Sequence, residues 1–335
     1  FEVMQNSGNA GREFWLSVTP VHRQSYSPDS ISFYVLSSVK SKIDVSIGSK
    51  FYSRSFEVEP NIIKLIRIDT SYTNPIKSDS TKLKDADIYP KSGIHIKSDY
   101  PIIVYVYTKR AFHSDGYFAI PTVASTNRYI NMNYYSSDYG NLLFPCYTSV
   151  ISHSDNTNVK ITMGGGKLAD DEIEFEDGRK IKTGESTTQL MNQGDMLLLS
   201  ANGNLQDISG SLIESDKPIT IQSGISQATL PINKGYGELL TTMEFPTKLW
   251  GTNFFFTPMN HRDSAGVFRA FATENNTKVY RNGQLMGTIP KGGGADYGES
   301  YIEFDSGEKY LNKPATITSD KPIALVYYNY YIRNK

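Results

Sequence analysis

Histidine, serine and aspartate stand side by side at two places in this sequence, and together they are the residue types of a hydrolytic relay. The two tripeptides are His113-Ser114-Asp115 and His153-Ser154-Asp155. A relay needs its nucleophile, base and orienting acid to converge, whereas neighbours on an extended chain point to alternating sides. The five histidines are scattered, and neither a His-Glu-x-x-His motif nor a phosphate-binding glycine loop is present. The sequence therefore gives no positive signal for an enzyme.

An acidic stretch at residues 170–177 is the best candidate for a metal site. Asp170, Asp171 and Glu172 open it, and calcium prefers several carboxylate and carbonyl oxygens held together. Acidic residues then alternate with an isoleucine and a phenylalanine, which is typical of a strand with one solvated face. Because the glycine-bent ligand loop of specific calcium sites is missing, we favour the strand. Calcium at these carboxylates is the minority interpretation, and no other cofactor is expected.

Two tyrosine-rich segments are candidates for contact with a partner. Residues 134–139 contain Tyr134, Tyr135 and Tyr139 around a Ser-Ser-Asp insertion, and residues 327–331 contain four more tyrosines. Tyrosine combines an apolar ring with a polar hydroxyl, as recognition surfaces prefer. Successive tyrosines on a strand face opposite ways, so about half of each group belongs in the core. The loop-like insertion predicts that the first group is exposed and contacts a protein, or alternatively stacks on a sugar.

Composition limits both the fold and the partners. The chain has 335 residues, with 23 tyrosines and 16 phenylalanines, and it lacks sustained helical periodicity. Its formal net charge is −1, so no global basic field attracts nucleic acid. Cys146 is the single cysteine, which leaves no intrachain disulfide. No apolar run reaches the roughly 18 residues of a membrane span, so none is expected in this segment.

The motif Ser-Asp-x-Pro-Ile occurs three times and sets the phase of the chain. The copies begin at Ser98, Ser215 and Ser319. Asp or Ser ahead of proline favours a turn, and proline suits the first residue of a strand because no backbone donor is needed there. We therefore interpret the copies as structural corners between two strands rather than as acidic sites. The corner residues are Asp99 and Pro101, Asp216 and Pro218, and Asp320 and Pro322.

The spacing of these copies predicts a threefold internal repeat. Their aspartates are 117 and 104 residues apart (216 − 99 and 320 − 216), about the length of a small domain. Pro-Thr segments at residues 121–127 and 246–253 keep the same phase. The predicted fold is all-β, with three tandem β-sandwich-like modules. Their predicted bounds are residues 1–122, 123–247 and 248–335.

Together these markers resemble the N-terminal region of the IgGFc-binding protein family. They are Gly11–Trp15, Gly93–Ile102, Phe245–Asn253 and Thr257-Pro258, and they keep the family's order along nearly the whole chain. The resemblance implies a secreted, nonenzymatic adhesion or recognition module, as in mucus-associated animal proteins and exported bacterial proteins. The family pattern has a cysteine pair in the loop that corresponds to residues 226–231, and this chain has none there. No immunoglobulin-contacting residues can be matched, so Fc binding is not predicted.

The expected function is therefore extracellular recognition. We expect the chain to bind a protein or glycoprotein partner through exposed loops on a rigid β scaffold, where such functions concentrate. The first alternative is a structural spacer or assembly unit that lies beside other domains of a longer surface protein. The second is a carbohydrate-binding module, which requires clustered exposed aromatics with polar neighbours.

Overall fold

The structure is a computed structural model, and it confirms the all-β class. It describes residues 9–17, 30–73, 86–109, 114–139, 142–168, 171–175, 177–201, 203–230, 232, 237–258, 264–295, 298–305 and 313–331. Its strands form large antiparallel sheets of seven, eight and six strands, together with two small two-stranded sheets. The described part also holds a single α-helical turn, α1 (Thr70–Thr73), and short 3₁₀ turns. Among these residues no helix is long and apolar enough to cross a membrane.

The first sheet is built around one long strand. Its strands are β1 (Gly11–Leu16), β2 (Ser30–Ser37), β3 (Ser41–Ile47), β4 (Tyr52–Val58), β5 (Lys64–Ile68), β7 (Ile94–Lys109) and β8 (Ser114–Phe118). Their order is β4-β3-β7-β2-β5, and β1 and β8 also pair with β7. Alternation in β2 turns Ile31, Phe33 and Val35 into the core. The intervening side chains of β2 therefore lie on the outer face.

The second sheet takes one strand from the chain segment between β5 and β7. Its strands are β6 (Ala86–Tyr89), β9 (Thr126–Ile130), β12 (Cys146–Ser152), β13 (Thr157–Thr162), β16 (Ser186–Met191), β17 (Met196–Ala201), β18 (Leu212–Thr229) and β19 (Gly237–Met243). The order is β16-β13-β18-β12-β17-β6, and β9 and β19 also pair with β18. The two small sheets join β10 (Ser137–Tyr139) to β11 (Leu142–Phe144) and β14 (Glu172–Glu174) to β15 (Lys180–Lys182).

The third sheet pairs its strands in the same pattern as the other two. Its strands are β20 (Gly251–Phe256), β21 (Ser264–Ala272), β22 (Thr277–Arg281), β23 (Gln284–Ile289), β24 (Tyr301–Asp305) and β25 (Ala315–Tyr331). Their order is β23-β22-β25-β21-β24, and β20 also pairs with β25. The strands β7, β18 and β25 occupy the same central place, as do their partners β2, β12 and β21. An internal repeat would produce this correspondence.

The three Ser-Asp-x-Pro copies lie inside the long strands, which corrects the predicted corner between two separate strands. In each copy the four residues from Ser to Pro stand opposite one residue of the neighbouring strand. Residues 98–101, 215–218 and 319–322 bulge opposite Arg12, Asn127 and Thr252, respectively. Such a bulge bends a strand without ending it. One strand can therefore pass from its first set of partners to its second.

Repeated hydrogen bonds hold these bulges in shape. The hydroxyl of each serine donates to the carbonyl two residues later, over 2.7 Å in the first copy and 2.6 Å in the other two. Asp216 accepts a hydrogen bond from the backbone N–H of Asn158, and Asp320 accepts one from that of Lys278. Ser and Asp therefore recur in the copies because their side chains make the hydrogen bonds that fix the shape of the bulge.

Apolar clusters join neighbouring sheets. Trp15 of β1 packs with Ile151 and Met196 of the second sheet. Ile130 of β9 packs with Phe271 and other side chains of the third sheet. Each large sheet also has its own buried core. The sheets are therefore held against one another by buried apolar contacts as well as by the chain.

Candidate protein-binding surface

Two of the three tyrosines that the sequence places on a recognition surface are in the core. Tyr134 and Tyr135 are only 2% and 6% exposed, while the side chain of Tyr139 lies outside the described residues. The rings of Tyr134 and Tyr135 face the guanidinium of Arg269, with 4.3 and 4.7 Å between ring centroid and Cζ. Their predicted exposure is wrong because these aromatic faces surround a buried cation, whose position the local sequence does not reveal.

Arg269 of β21 is fully buried between the second and third sheets. Its Nη1 donates to Asp207 Oδ2 over 2.7 Å, and its Nε donates to Glu303 Oε2 over 2.9 Å. Tyr301 adds another ring at 4.7 Å and donates its hydroxyl to Asp207. Asp207 is also buried, and these partners replace the hydrogen bonds that its side chain would make with water. This network is a structural connection between the two sheets.

Two of the three carboxylates of the predicted calcium site are hydrogen-bonded or ion-paired within the protein. Asp171 is buried, and its two oxygens accept hydrogen bonds from the backbone N–H groups of Gly166 and Asp207, at 2.7 and 2.8 Å. Glu172 lies 2.6 Å from Lys180, whose hydrogen bond lowers the pKa of Glu172. Asp170 lies outside the described residues. Within the described ranges no three His, Cys, Asp or Glu side chains are arranged to hold a metal. Calcium here stays a prediction.

His153 points into the boundary between the first and second sheets. Its Nε2 lies 2.8 Å from Thr220 Oγ1, and its buried Nδ1 has no hydrogen-bond partner. Asp155 instead accepts a hydrogen bond from the backbone N–H of Gln193. The neighbouring residues therefore have separate partners, as expected on an extended chain. His113, in the other tripeptide, lies outside the described residues.

Acid is expected to weaken the boundary around His153. Burial lowers the pKa of this histidine from 6.5 to about 4. As the pH falls, His153 of the unfolded chain is protonated before His153 of the folded protein. The contribution of neutral, buried His153 to folding stability is therefore fully present above about pH 6.5 and is lost as the pH falls towards 4. The full loss is about 3 kcal/mol. Urea unfolding across this window should show a smaller pH dependence for His153→Gln than for the wild type, and equal slopes would contradict the assignment.

A row of apolar side chains is exposed on the outer face of the first sheet. Tyr34 of β2 stands directly opposite Leu65 of β5 and Tyr105 of β7, and Tyr105 stands opposite Phe118 of β8. Leu65 and Tyr34 are each 38% exposed, Tyr105 is 53% exposed, and Phe118 at the end of the row is half-buried. We call these four residues the outer row. Contiguous exposed apolar side chains of this kind mark interaction sites.

The aromatic rings of the outer row and of Tyr107 beside it stand edge to face. The centroids of Tyr105 and Phe118 are 5.1 Å apart with an interplanar angle of 73°, and those of Tyr34 and Tyr107 are 6.4 Å apart at 75°. A sugar stacks on a flat, open ring face. In an edge-to-face pair the edge of one ring lies against the face of the other, which leaves less open face for a sugar and suits contact with the side chains of a protein.

Basic side chains lie on the same face as the outer row. Arg67 follows Leu65 by two positions on β5, and Lys109 follows Tyr105 by four on β7, so both share its face. Both are exposed, and among the described residues neither forms an ion pair. Asp69, just beyond β5, accepts a hydrogen bond from the backbone N–H of Ser71. Asp69 remains an anion, so the outer face beside the row carries the two cations Arg67 and Lys109 against one carboxylate, a net positive charge.

The sequence shows that the residues of the outer row alternate along strands, but it does not show that this face of the sheet is exposed. Tyr105 and Tyr107 occupy every second position of β7, as a shared face requires. Val104 and Val106, which alternate with these tyrosines, are also apolar, so the pattern does not distinguish the inner from the outer face. Only the packing of β7 in the sheet decides that the valines are buried and the tyrosines are not. The signal that could have identified the row is the tyrosine at position 34 on a neighbouring strand.

These features define an all-β scaffold with an exposed apolar face. A family model described as IgGFc binding protein matches residues 115–331, and the chain belongs to this family. The match confirms the resemblance drawn from the sequence. It includes nearly all of β8, all of the third sheet, and the second sheet except β6. No curated protein and no solved structure matches the chain.

Proposed function

We propose that the chain is an extracellular, nonenzymatic recognition module that binds a protein or glycoprotein partner through the outer row. The exposed edge-to-face side chains of this row are the observation that supports the proposal, because aromatic anchors dominate protein interfaces. Membership of a family named for binding a protein supports recognition as the function, while the choice of surface rests on the row itself, of which only Phe118 lies within the matched residues 115–331. The contact lies on a sheet face rather than on the loops that the sequence suggested.

The proposed scaffold consists of three tandem β-sandwich-like modules at residues 1–122, 123–247 and 248–335. The shared pairing pattern of the three large sheets supports this division. The modules also interlock, because β6 from the first range pairs with β17 in the second sheet. The buried contacts of Arg269 join the second sheet to the third. A scaffold fixed in this way holds the outer row rigid, which lowers the entropic cost of binding.

Truncating one side chain of the outer row is expected to weaken partner binding strongly. Tyr105→Ala deletes the most exposed ring of the row, and loss of a central interface tyrosine costs about 2 kcal/mol, or roughly thirtyfold in affinity. The measurement is quantitative capture from the surface and secreted material of the source organism, with captured proteins identified by mass spectrometry. Phe255→Ala is the matched control, because Phe255 is an aromatic residue of the third sheet that is 84% exposed.

A specific partner should be captured by the wild type and by Phe255→Ala, and lost with Tyr105→Ala. Equal capture by both variants would contradict the assignment of the outer row. A glycan array run in parallel separates protein from carbohydrate recognition. Binding to glycans alone would replace the proposal with the carbohydrate alternative. Silence of the wild type in both assays would favour a structural spacer.

A further inference from the structure

The edge strands β5 and β17 occupy the same position in the first and second sheets. Each is the outer neighbour of the strand that pairs with the long central strand, β2 in one sheet and β12 in the other. The far edge of β17 is occupied by β6, which pairs with it antiparallel from Ala86 to Tyr89. This fold position therefore accepts an additional strand, and the molecule itself contains one example.

The far edge of β5 carries no such strand among the described residues. An edge strand presents a line of backbone donors and acceptors that another extended chain can pair with. Leu65, the first member of the outer row, lies on this strand. A strand added beside β5 would therefore extend the outer row by one more side chain. Backbone pairing would supply affinity, and alternate side chains would supply specificity.

Charge decides what kind of strand fits. Lys64 and Arg67 lie on β5, and Arg67 shares the outer face with Leu65. Antiparallel pairing of β5 with β5 of a second copy would place the two Arg67 side chains on one face and the two Lys64 side chains on the other, and like charges on neighbouring strands are destabilising. An acidic strand would instead place its carboxylates beside them. The edge is therefore protected against self-association and open to an acidic partner.

We propose that β5 pairs with an acidic, extended segment of a partner protein, whose apolar side chains continue the outer row. This inference rests on the proposed function, since it names the kind of partner that the same surface binds. It differs from that function by requiring backbone pairing at Lys64–Ile68. The outer row could bind a folded protein without any such pairing.

The test uses a short synthetic peptide in which glutamate and valine alternate. Hydrogen exchange of the β5 amides is followed by mass spectrometry at saturating peptide, and exchange is expected to slow by about tenfold or more. A lysine-valine peptide, and a glutamate-valine peptide N-methylated at alternate residues, are expected to give no protection. Arg67→Glu should reverse the preference between the two charged peptides. Lys160→Glu is the control, because Lys160 is an exposed cation on β13 of the second sheet.

Unchanged exchange at β5 with saturating glutamate-valine peptide would overturn the inference. Equal binding of the N-methylated peptide would also overturn it, because charge alone would then suffice. Protection by a heparin oligosaccharide but not by the peptide would overturn it in favour of an acidic glycan. The proposed function is tested independently of this inference, and it would be contradicted if Tyr105→Ala still bound the natural partner as the wild type does. Loss of that partner with unprotected β5 amides would leave the outer row as the site and remove only the strand pairing.

Discussion

Arg269→Met is expected to destabilise the protein by about 3–5 kcal/mol, because it removes one member of a buried ion pair. Asp207 would then be left as a buried carboxylate without the 2.7 Å contact to Nη1. Tyr134, Tyr135 and Tyr301 would also lose the cation that their faces surround. Equilibrium urea unfolding at neutral pH measures the effect. The loss should appear as a lower midpoint for the transition that includes the second and third sheets.

Arg179→Met is the matched control for this prediction. Arg179 also forms a close ion pair, 2.6 Å from Asp177, but the arginine side chain is 54% exposed. Solvent screening leaves such exposed pairs with little effect on stability. A loss for Arg269→Met no larger than that for Arg179→Met would contradict the structural role of the buried network. Double replacement of Arg269 by Met and Asp207 by Leu should recover part of the lost stability, because the fully buried carboxylate is removed together with its partner and only Glu303, which is 32% exposed, loses an ion pair.

Glu244→Gln is expected to stabilise the protein at alkaline pH. Glu244 is buried, its Oε1 accepts the backbone N–H of Met132 over 2.8 Å, and its Oε2 has no hydrogen-bond partner. Burial raises the pKa of this carboxyl from 4.5 to about 8. As the pH rises, the folded state keeps the proton on Glu244 that the unfolded chain loses. The contribution of protonated Glu244 to folding stability is therefore fully present below about pH 4.5 and is lost as the pH rises through about 8.

The full effect of this linkage is about 5 kcal/mol. Glutamine keeps an acceptor for Met132 and carries no charge in either state, so the variant should lose stability less steeply as the pH rises. The measurement is the difference in unfolding free energy between variant and wild type at several pH values. This difference cancels the titration of His153, which acts in both proteins. Glu59→Gln is the control, because Glu59 is an exposed glutamate just beyond β4, and its difference should show no comparable trend with pH. A difference in unfolding free energy that stays constant with pH for Glu244→Gln would contradict the prediction.

The all-β class was predictable from local pattern, but the path of the long strands was not. Alternation and the three Ser-Asp-x-Pro copies correctly indicate strands on both sides of each proline. A proline preceded by a turn signal is most simply a boundary between strands, so the pattern favours a corner. In the structure each copy is instead a bulge within one strand, where four residues stand opposite a single residue of the neighbouring strand, as residues 98–101 stand opposite Arg12. That choice depends on the partner strand, which local sequence does not contain.

The pairing of β6 with β17 was equally inaccessible. Ala86–Tyr89 is short, and its partner Met196–Ala201 lies more than a hundred residues away. Pairing over such a distance is decided by the tertiary fold rather than by any nearby turn. The strand therefore joins the second sheet although its neighbours in sequence belong to the first.

The candidate site shows the same limit. Sequence reasoning correctly expected tyrosines to serve both core and surface, but it assigned the wrong ones to the surface. Tyr134 and Tyr135 stand beside polar residues, which suggested a loop, yet the buried Arg269 lies more than a hundred residues further on. Tyr34 and Tyr105 look like ordinary strand residues. Their exposure follows from which face of the sheet packs on the core.

Site-directed photo-crosslinking tests the central claim most directly. A photoreactive phenylalanine analogue is placed at position 105 in one protein and at position 255 in another, since Tyr105 and Phe255 are both exposed aromatics on different sheets. Both proteins are irradiated in surface and secreted material of the source organism, and adducts are identified by mass spectrometry. The outer row predicts a discrete protein adduct at position 105 that is absent at position 255. The same adducts at both positions, or an adduct at 255 alone, would contradict the account.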